Sequence, residues 1–116
     1  MNNIEYIMLN IGCPAHLSGY NATYLAVKHL IDDPAITKIG PLYDKVADDL
    51  HMSNKCVERN IRHLVDYLFK KGNISKMRDY FGAIVVDNGH MCNKQFLWTL
   101  TRRVLEMEGV NADYKG

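Results

Sequence analysis

A long amphipathic pattern in the middle of the chain limits the fold more than any other feature. Apolar residues recur at i, i+4, i+7 and i+11, and they are Val57, Ile61, Leu64 and Leu68. This spacing places all of them on one stripe of an α-helix. Ser53 is a suitable N-cap, and Gly72 is a suitable stop after two lysines. The pattern therefore predicts a helix over Asn54–Lys71 whose apolar stripe packs against other elements.

A shorter helical pattern, from Tyr43 to Leu50, precedes this helix and is separated from it by a tight turn. The pair is typical of a helix-turn-helix, in which the second helix enters the DNA major groove with its N-terminal residues on base edges. An arginine there can bond guanine O6 and N7 together. The candidates for base readout are Lys55, Cys56, Arg59 and Arg62. The alternative is that these side chains form an ordinary solvated helix face.

Length and composition predict one globular domain that spans residues 1–116, since 47% of the residues are hydrophobic. No apolar run is long enough to cross a membrane, and the first residues lack the cationic head of a secretory signal. We therefore expect a cytoplasmic protein. The odd number and wide spacing of Cys13, Cys56 and Cys92 predict free thiols.

The distribution of charge is more informative than its sum, because the formal net charge is only +1. Residues 53–78 contain seven lysines and arginines against two acids, whereas the rest of the chain contains seven cations and eleven acids. Concentrated positive charge on the second helix and the segment after it favours a nucleic-acid face. A basic patch for a protein partner has the same pattern.

The remaining patterns predict an all-α fold. Residues 4–11 form a short apolar segment of about one helical turn. A helix is expected over residues 14–32, and its predicted inward face consists of Leu17, Tyr20, Tyr24, Val27 and Ile31. Short helical pieces are expected over residues 35–39 and, capped by Ser75, over residues 76–81.

The C-terminal part is predicted to contain one further helix. Residues 83–86 are β-prone but have no partner strand, so they are interpreted as an extended linker. Asn93 is expected to cap a helix over residues 94–108, and residues 109–116 are expected to be frayed. The apolar face of this helix would be Phe96, Leu97, Leu100, Val104 and Met107, with Trp98 left partly exposed.

Several strings carry a family resemblance. They are IGCPAHLSGY at residues 11–20, ITK at 36–38, YDKVADDL at 43–50, VERNIRH at 57–63 and GNI at 72–74. In this order they resemble the C-terminal effector domain of the stage-zero sporulation protein A family, whose members are response regulators that control entry into sporulation. The resemblance covers residues 11–108, the expected core of the domain.

The resemblance implies about six helices around the helix-turn-helix and binding to a short double-stranded DNA box, usually as tandem copies. It also implies control of promoters through RNA polymerase. By position, Glu58, Arg59 and Arg62 resemble the residues that read bases and contact phosphates, and His63 follows them. Residues 71–81 resemble the surface for the polymerase sigma subunit. Its candidates here are Lys71, Asn73, Ser75, Lys76 and Arg78.

The chain departs from the family pattern within the motif. Lys55 and Cys56 stand where the family has a serine and an arginine, and Asp48 and Asp49 stand where it usually has two lysines. The residues Gly40-Pro41 are added before the motif. With only three residues before Ile4, we expect no phosphorylatable receiver domain in this chain. A second hypothesis is therefore an interaction module without DNA binding that pairs with a full-length relative through residues 96–107.

No pattern indicates catalysis, a cofactor or a small-molecule substrate. The pairs Cys13 with His16 and His90 with Cys92 lack the spacing of a zinc finger. A nucleophile elbow and a phosphate-binding glycine loop are missing from the sequence. We expect no enzyme and no metal site. The expected partners are double-stranded DNA, the RNA polymerase sigma subunit and a second copy in a weak or DNA-dependent homodimer.

Overall fold

The protein is described by a computed structural model that covers residues 2–109. This part of the chain contains seven helices and no strand. In chain order they are α1 (Asn3–Ile11), α2 (Ser18–Asp32), α3 (Ile39–Leu50), α4 (Asn54–Lys71), α5 (Ile74–Phe81), α6 (Ala83–Asp87) and α7 (Asn93–Met107). The all-α class is confirmed, and the helix-turn-helix consists of α3 and α4. One helix more than the expected six or so is present.

Helix α4 has the predicted bounds because its local signals agree. The Ser53 hydroxyl oxygen accepts a hydrogen bond from the Cys56 N–H at 3.1 Å and so caps the first turn. The predicted stripe is fully buried. Gly72 ends the helix after two lysines that suit the negative end of its dipole. Helices α2, α3 and α7 pack around α4, so its inner side forms the centre of the core.

Helix α2 crosses α4 at Gly19, where the two backbones nearly touch. A Cβ added at this position would lie 2.7 Å from Leu64 Cβ and closer still to the carbonyl oxygen of Asn60. Only a residue without a side chain allows this approach. Gly19 therefore sets the distance between α2 and α4.

Two details of the α2 prediction are wrong. The helix begins at Ser18 instead of residue 14, because Leu17 is extended and its N–H bonds to the Pro14 carbonyl in a preceding turn. The inward face consists of smaller residues than expected, namely Gly19, Ala22, Thr23, Ala26, Val27 and Leu30. Of the predicted set only Val27 is fully buried. Small residues face α4 because the helices approach closely, and the tyrosines cover the edges.

The chain start forms a complete helix instead of a single turn. Asn2 and Glu5 make a capping box, in which the Asn2 side chain accepts from the Glu5 N–H at 2.9 Å. Four residues of α1 belong to the core, and they are Ile4, Ile7, Met8 and Ile11. The packed part of the chain therefore extends beyond the expected core of residues 11–108.

The extended linker predicted over residues 83–86 is wrong, since these residues form most of α6. Gly82 adopts φ 95°, which turns the chain directly from α5 into α6. Only Val86 of this helix is buried, and Ile84 is 80% exposed. Without a neighbouring strand to pair with, β-propensity does not decide the conformation here.

Several predicted boundaries also shift. Residues 35–38 are not helical, and Gly40 and Pro41 lie in the first turn of α3, where a proline needs no donor. Asn73 caps α5 in place of Ser75, so the helix begins at Ile74. Asn93 is the first residue of α7 and not its cap, and α7 ends at Met107 instead of residue 108. Residues 109–116 are expected to be frayed, but all of them except Gly109 lie outside the described residues.

The apolar face of α7 belongs to the core and is not a free surface. Phe96, Leu97, Leu100 and Val104 are buried, mainly against α1 and α2, while Met107 is 44% exposed. Pairing with a relative through residues 96–107 is therefore excluded for most of this face. Trp98 is partly buried, and the Lys94 ammonium lies 5.4 Å from its ring centroid. None of the helices in residues 2–109 is both long and apolar enough to span a membrane.

Two buried threonines provide a test of core polarity. Thr23 and Thr101 are both fully buried, but only the Thr101 hydroxyl has a partner within residues 2–109, the Leu97 carbonyl at 2.8 Å. An unpaired buried hydroxyl costs about 1–3 kcal/mol. We expect Thr23→Val to raise the free energy of unfolding by about 1 kcal/mol, as measured by urea denaturation. Thr101→Val is the control and should not stabilise, and equal effects of both changes would contradict the prediction.

Candidate nucleic-acid interface

The outer side of α4 carries a row of cations. Lys55, Arg59 and Arg62 are spaced at i, i+4 and i+7 and lie opposite the buried stripe. All three are exposed, so the structure brings together the central candidates for base readout. We call Lys55, Arg59 and Arg62 the basic row. It begins in the first turn of α4, the part of a recognition helix that reaches base edges.

The two arginines of the basic row differ in their contacts. Arg62 Nη1 forms an ion pair with Glu58 Oε1 one turn earlier in the helix. Arg59 has only a long contact with the Cys56 Sγ, at 3.9 Å, among the described residues. The Arg59 guanidinium is therefore available to bind a ligand. Arg62 can bind one only if it also keeps its pair with Glu58 or breaks that pair.

Two further candidates lie on the flank of α4 that faces α2. Cys56 is half-buried, and its Sγ accepts a weak hydrogen bond from Asn60 Nδ2 at 3.8 Å. His63 is exposed and borders a small cavity of about 140 Å³ beside the Gly19 crossing. Neither side chain is in line with the basic row. The six candidates are thus divided into the basic row, the α2 flank with Cys56 and His63, and the opposite flank with Glu58.

The two carboxylates of the acidic pair on α3 differ in their contacts. Asp49 Oδ2 lies 2.6 Å from His29 Nε2 of α2, so this carboxylate is engaged within the fold. Asp48 is exposed and makes no side-chain hydrogen bond within residues 2–109. Lys45 is also exposed on α3, one turn earlier, and was not among the sequence candidates. An exposed acid without an internal partner, Asp48, and an exposed cation, Lys45, thus lie one turn apart on α3.

Asn93 connects three helices at the other flank of α4. Its Nδ2 donates to the Tyr43 hydroxyl of α3 at 2.9 Å and to the Glu58 carbonyl of α4 at 3.0 Å. Burial raises the pKa of Tyr43, so its hydroxyl is neutral at physiological pH. Sequence reasoning assigned Asn93 only a capping role, and no local signal points to contacts with residues 35 and 50 positions away.

The candidates for polymerase contact have mixed roles. The Asn73 side chain accepts from the Lys76 N–H at 3.0 Å and caps α5. Arg78 donates to Asp87 Oδ1 at 2.7 and 3.0 Å and ties α5 to α6. Lys71, Ser75 and Lys76 are exposed and form no side-chain hydrogen bond within the described part of the chain. All five candidates are exposed, but only these three have side chains free of internal hydrogen bonds within residues 2–109.

The cysteine and histidine pairs do not assemble into a larger cluster. Among residues 2–109, no group of three or more His, Cys, Asp and Glu side chains is close enough together to hold a metal ion. Burial raises the pKa of the Cys13 thiol to about 12, so this sulfur is protonated and part of the core. Cys92 is exposed, and all three cysteines are free thiols, as predicted.

A comparison with protein families agrees with this geometry. The family model described as "Sporulation initiation factor Spo0A C terminal" matches residues 4–116. The match therefore includes α1 as well as the helix-turn-helix and the helices that follow it. It covers nearly the whole chain, which belongs to the family of sporulation initiation factor Spo0A C-terminal domains.

Proposed function

We propose that the protein binds double-stranded DNA sequence-specifically and regulates transcription in the control of sporulation initiation. The observation that carries the proposal is the basic row on α4, exposed opposite a fully buried stripe. Its position in the second helix of a helix-turn-helix is the one from which such domains read the major groove. Membership of the Spo0A C-terminal family supports the same function.

Each residue of the row has a distinct chemical task. Arg59, which has no strong internal partner in the described residues, is suited to a bidentate contact with guanine. Lys55 in the first turn supplies a mobile cation for a phosphate. The Glu58 carboxylate can accept a hydrogen bond from a cytosine N4 amino group while it orients Arg62. Readout then combines one free arginine with one that is held in place.

The proposed partners follow from the exposed residues. We expect a DNA-binding regulator of this kind in the cytoplasm. On two adjacent boxes a second copy joins the first, because the duplex raises the effective concentration. The face of α7 that packs in the core is not the surface for this pairing. Contact with the polymerase sigma subunit uses Lys71, Ser75 and Lys76, whereas Asn73 and Arg78, which are also exposed, stabilise α5 through its cap and the bond to Asp87.

The proposal is tested by the salt dependence of binding. Affinities are measured by fluorescence anisotropy for a duplex with a sporulation-type box and for a scrambled duplex, at several salt concentrations. A specific reader binds the box more tightly at every salt concentration, and its log affinity falls with a slope of about −0.9 per phosphate contacted. Equal affinity for both duplexes would exclude sequence-specific reading.

The alternative, an interaction module without DNA binding, is favoured by one observation, the exposed Asp48 on α3. In a helix-turn-helix the first helix crosses the DNA backbone, so a carboxylate there opposes binding. The same salt titration separates the two functions. The module would bind neither duplex measurably and would bind a full-length relative instead.

Charge reversal at Asp48 should strengthen binding without changing specificity. We expect Asp48→Lys to raise the affinity for both duplexes and to steepen the salt slope by about 0.9, because one more phosphate is neutralised. Asp49 is left unchanged because it pairs with His29. Asp79→Lys on α5 makes the same charge change outside the motif and serves as the control. An unchanged slope would show that α3 faces away from the DNA backbone.

A further inference from the structure

We propose that Asn93 is a positioning residue that fixes the rotation of α4 about its axis and thereby sets the base discrimination of the basic row. The inference rests on the proposed function. It concerns a residue of α7 that lies outside the helix-turn-helix and carries no charge. Asn93 acts through Glu58 and Arg62, and it needs no contact of its own with DNA.

The geometry of the Asn93 amide carries the proposal. One nitrogen has two hydrogens, and it directs them to acceptors on both helices of the motif, the Tyr43 hydroxyl and the Glu58 carbonyl. Asn93 is half-buried and Tyr43 is only 5% exposed, so water competes weakly for these bonds. The amide therefore connects α3 and α4 at the level of the basic row.

A second contact holds the opposite side of α4. The Gly19 backbone of α2 packs against the Asn60 carbonyl, two residues after Glu58. Two residues correspond to a rotation of about 200° around a helix, so the carbonyls of residues 58 and 60 lie on opposite sides. Helix α4 is thus held from both flanks, by close packing at Asn60 and by a directional hydrogen bond at Glu58.

The buried stripe fixes which side of α4 faces the core, but it sets the rotation less finely than a hydrogen bond does. Apolar burial is non-directional, whereas a hydrogen bond weakens steeply as its angle changes. A rotation of roughly 10° moves a side-chain tip about 9 Å from the axis by about 1.5 Å. Bidentate contacts tolerate only a few tenths of an ångström in distance. Loss of the Asn93 bonds should therefore reduce base discrimination before it reduces folding.

Of the basic row, Arg62 should be the first to lose its base contact when the Asn93 hydrogen bonds are removed. Glu58 and Arg62 line an open groove of about 420 Å³ together with Tyr43 and Asn93, so both stand on the flank that the amide holds. Arg59 lies on the far side of the row from this groove. Non-specific attraction to phosphates depends on the presence of the cations and much less on their exact direction.

The experiment measures the ratio of affinities for the box and the scrambled duplex at matched salt. We expect Asn93→Ala to reduce this ratio about tenfold, while the scrambled affinity and the salt slope stay within about twofold of the parent. Tyr43→Phe should reduce it less, because the bond to the Glu58 carbonyl remains. Gln95→Ala, an exposed amide two residues further along α7, is the matched control and should leave the ratio unchanged.

Combining substitutions separates positioning from general stabilisation. If Asn93 acts through Arg62, the double variant Arg62→Ala/Asn93→Ala should lose little more discrimination than Arg62→Ala alone. Fully additive losses would overturn the inference. If Asn93→Ala does not fold, Tyr43→Phe is combined with Arg62→Ala instead. Fully additive losses of discrimination in that double variant would likewise overturn the inference.

The remaining outcomes distinguish the inference from the proposed function. A parent protein that discriminates between the duplexes, with an Asn93→Ala variant that discriminates equally well, overturns the inference and leaves the function intact. The inference is also overturned if the variant loses the same factor on both duplexes. A parent that does not discriminate overturns the proposed function, and the inference with it.

Discussion

Gly19→Ala is expected to lower the free energy of unfolding by about 3 kcal/mol, the upper end of the usual range for overpacking in a core. The added methyl group would lie 2.7 Å from Leu64 Cβ and closer to the Asn60 carbonyl oxygen. A backbone oxygen cannot move aside as the end of a flexible side chain can. Helices α2 and α4 must therefore separate, and the core between them loses contacts.

Helix propensity opposes this effect but does not outweigh it. Alanine is favoured over glycine within a helix by about 1 kcal/mol, so a glycine retained in α2 already lowers local stability. The net loss is measured by urea or thermal denaturation. Asn21→Ala, at an exposed position two residues later in α2, raises helix propensity without adding bulk at the crossing and should stabilise slightly. An increase in stability for Gly19→Ala would show that the helices do not approach as closely as described.

Arg59→Ala is expected to weaken binding to the preferred duplex by about 1–3 kcal/mol, roughly 5- to 150-fold, and to relax base preference at one position. Arg59 is exposed and has only a weak internal contact in the described residues, so its loss should leave the stability of the fold nearly unchanged. Anisotropy titrations with the box and with single-base variants of it measure both effects.

Lys70→Ala provides the matched control for Arg59→Ala. It removes one exposed cation from the last turn of α4, far from the N-terminal residues that reach bases. Lys70→Ala should therefore affect all duplexes equally. Arg62→Ala is expected to differ from both, because it also leaves the Glu58 carboxylate without its partner near the DNA. If Arg59→Ala bound the box as tightly as the parent at matched salt, the readout assignment would be wrong.

Helix α4 could be predicted to the residue because cap, stripe and stop all indicate the same element. Helix α6 could not, since residues 83–86 are β-prone and only tertiary context decides their conformation. The inward face of α2 differs from the predicted one for a related reason. Periodicity is dominated by large apolar and aromatic residues, whereas this interface is built around Gly19 and small neighbours such as Ala22 and Ala26, whose hydrophobic signal is weak.

The candidate site was predictable to the extent that it is local. Helical spacing alone places the basic row on one face, and the Glu58–Arg62 pair at i, i+4 is a sequence-readable interaction. The bond between His29 and Asp49 and the bonds of Asn93 join residues far apart in the chain. A single sequence contains no signal for such contacts, because they depend on how the helices pack.

The packing of α1 into the core has a consequence for the order of folding. The Asn73 N–H donates to the Ile11 carbonyl at 2.9 Å, and a Cβ on Gly72 would lie 3.0 Å from the same oxygen. These residues are about 60 positions apart, so the contact carries a large loop-closure entropy until α2, α3 and α4 have condensed. Helix α1 should therefore dock late, on a helix-turn-helix that has already formed.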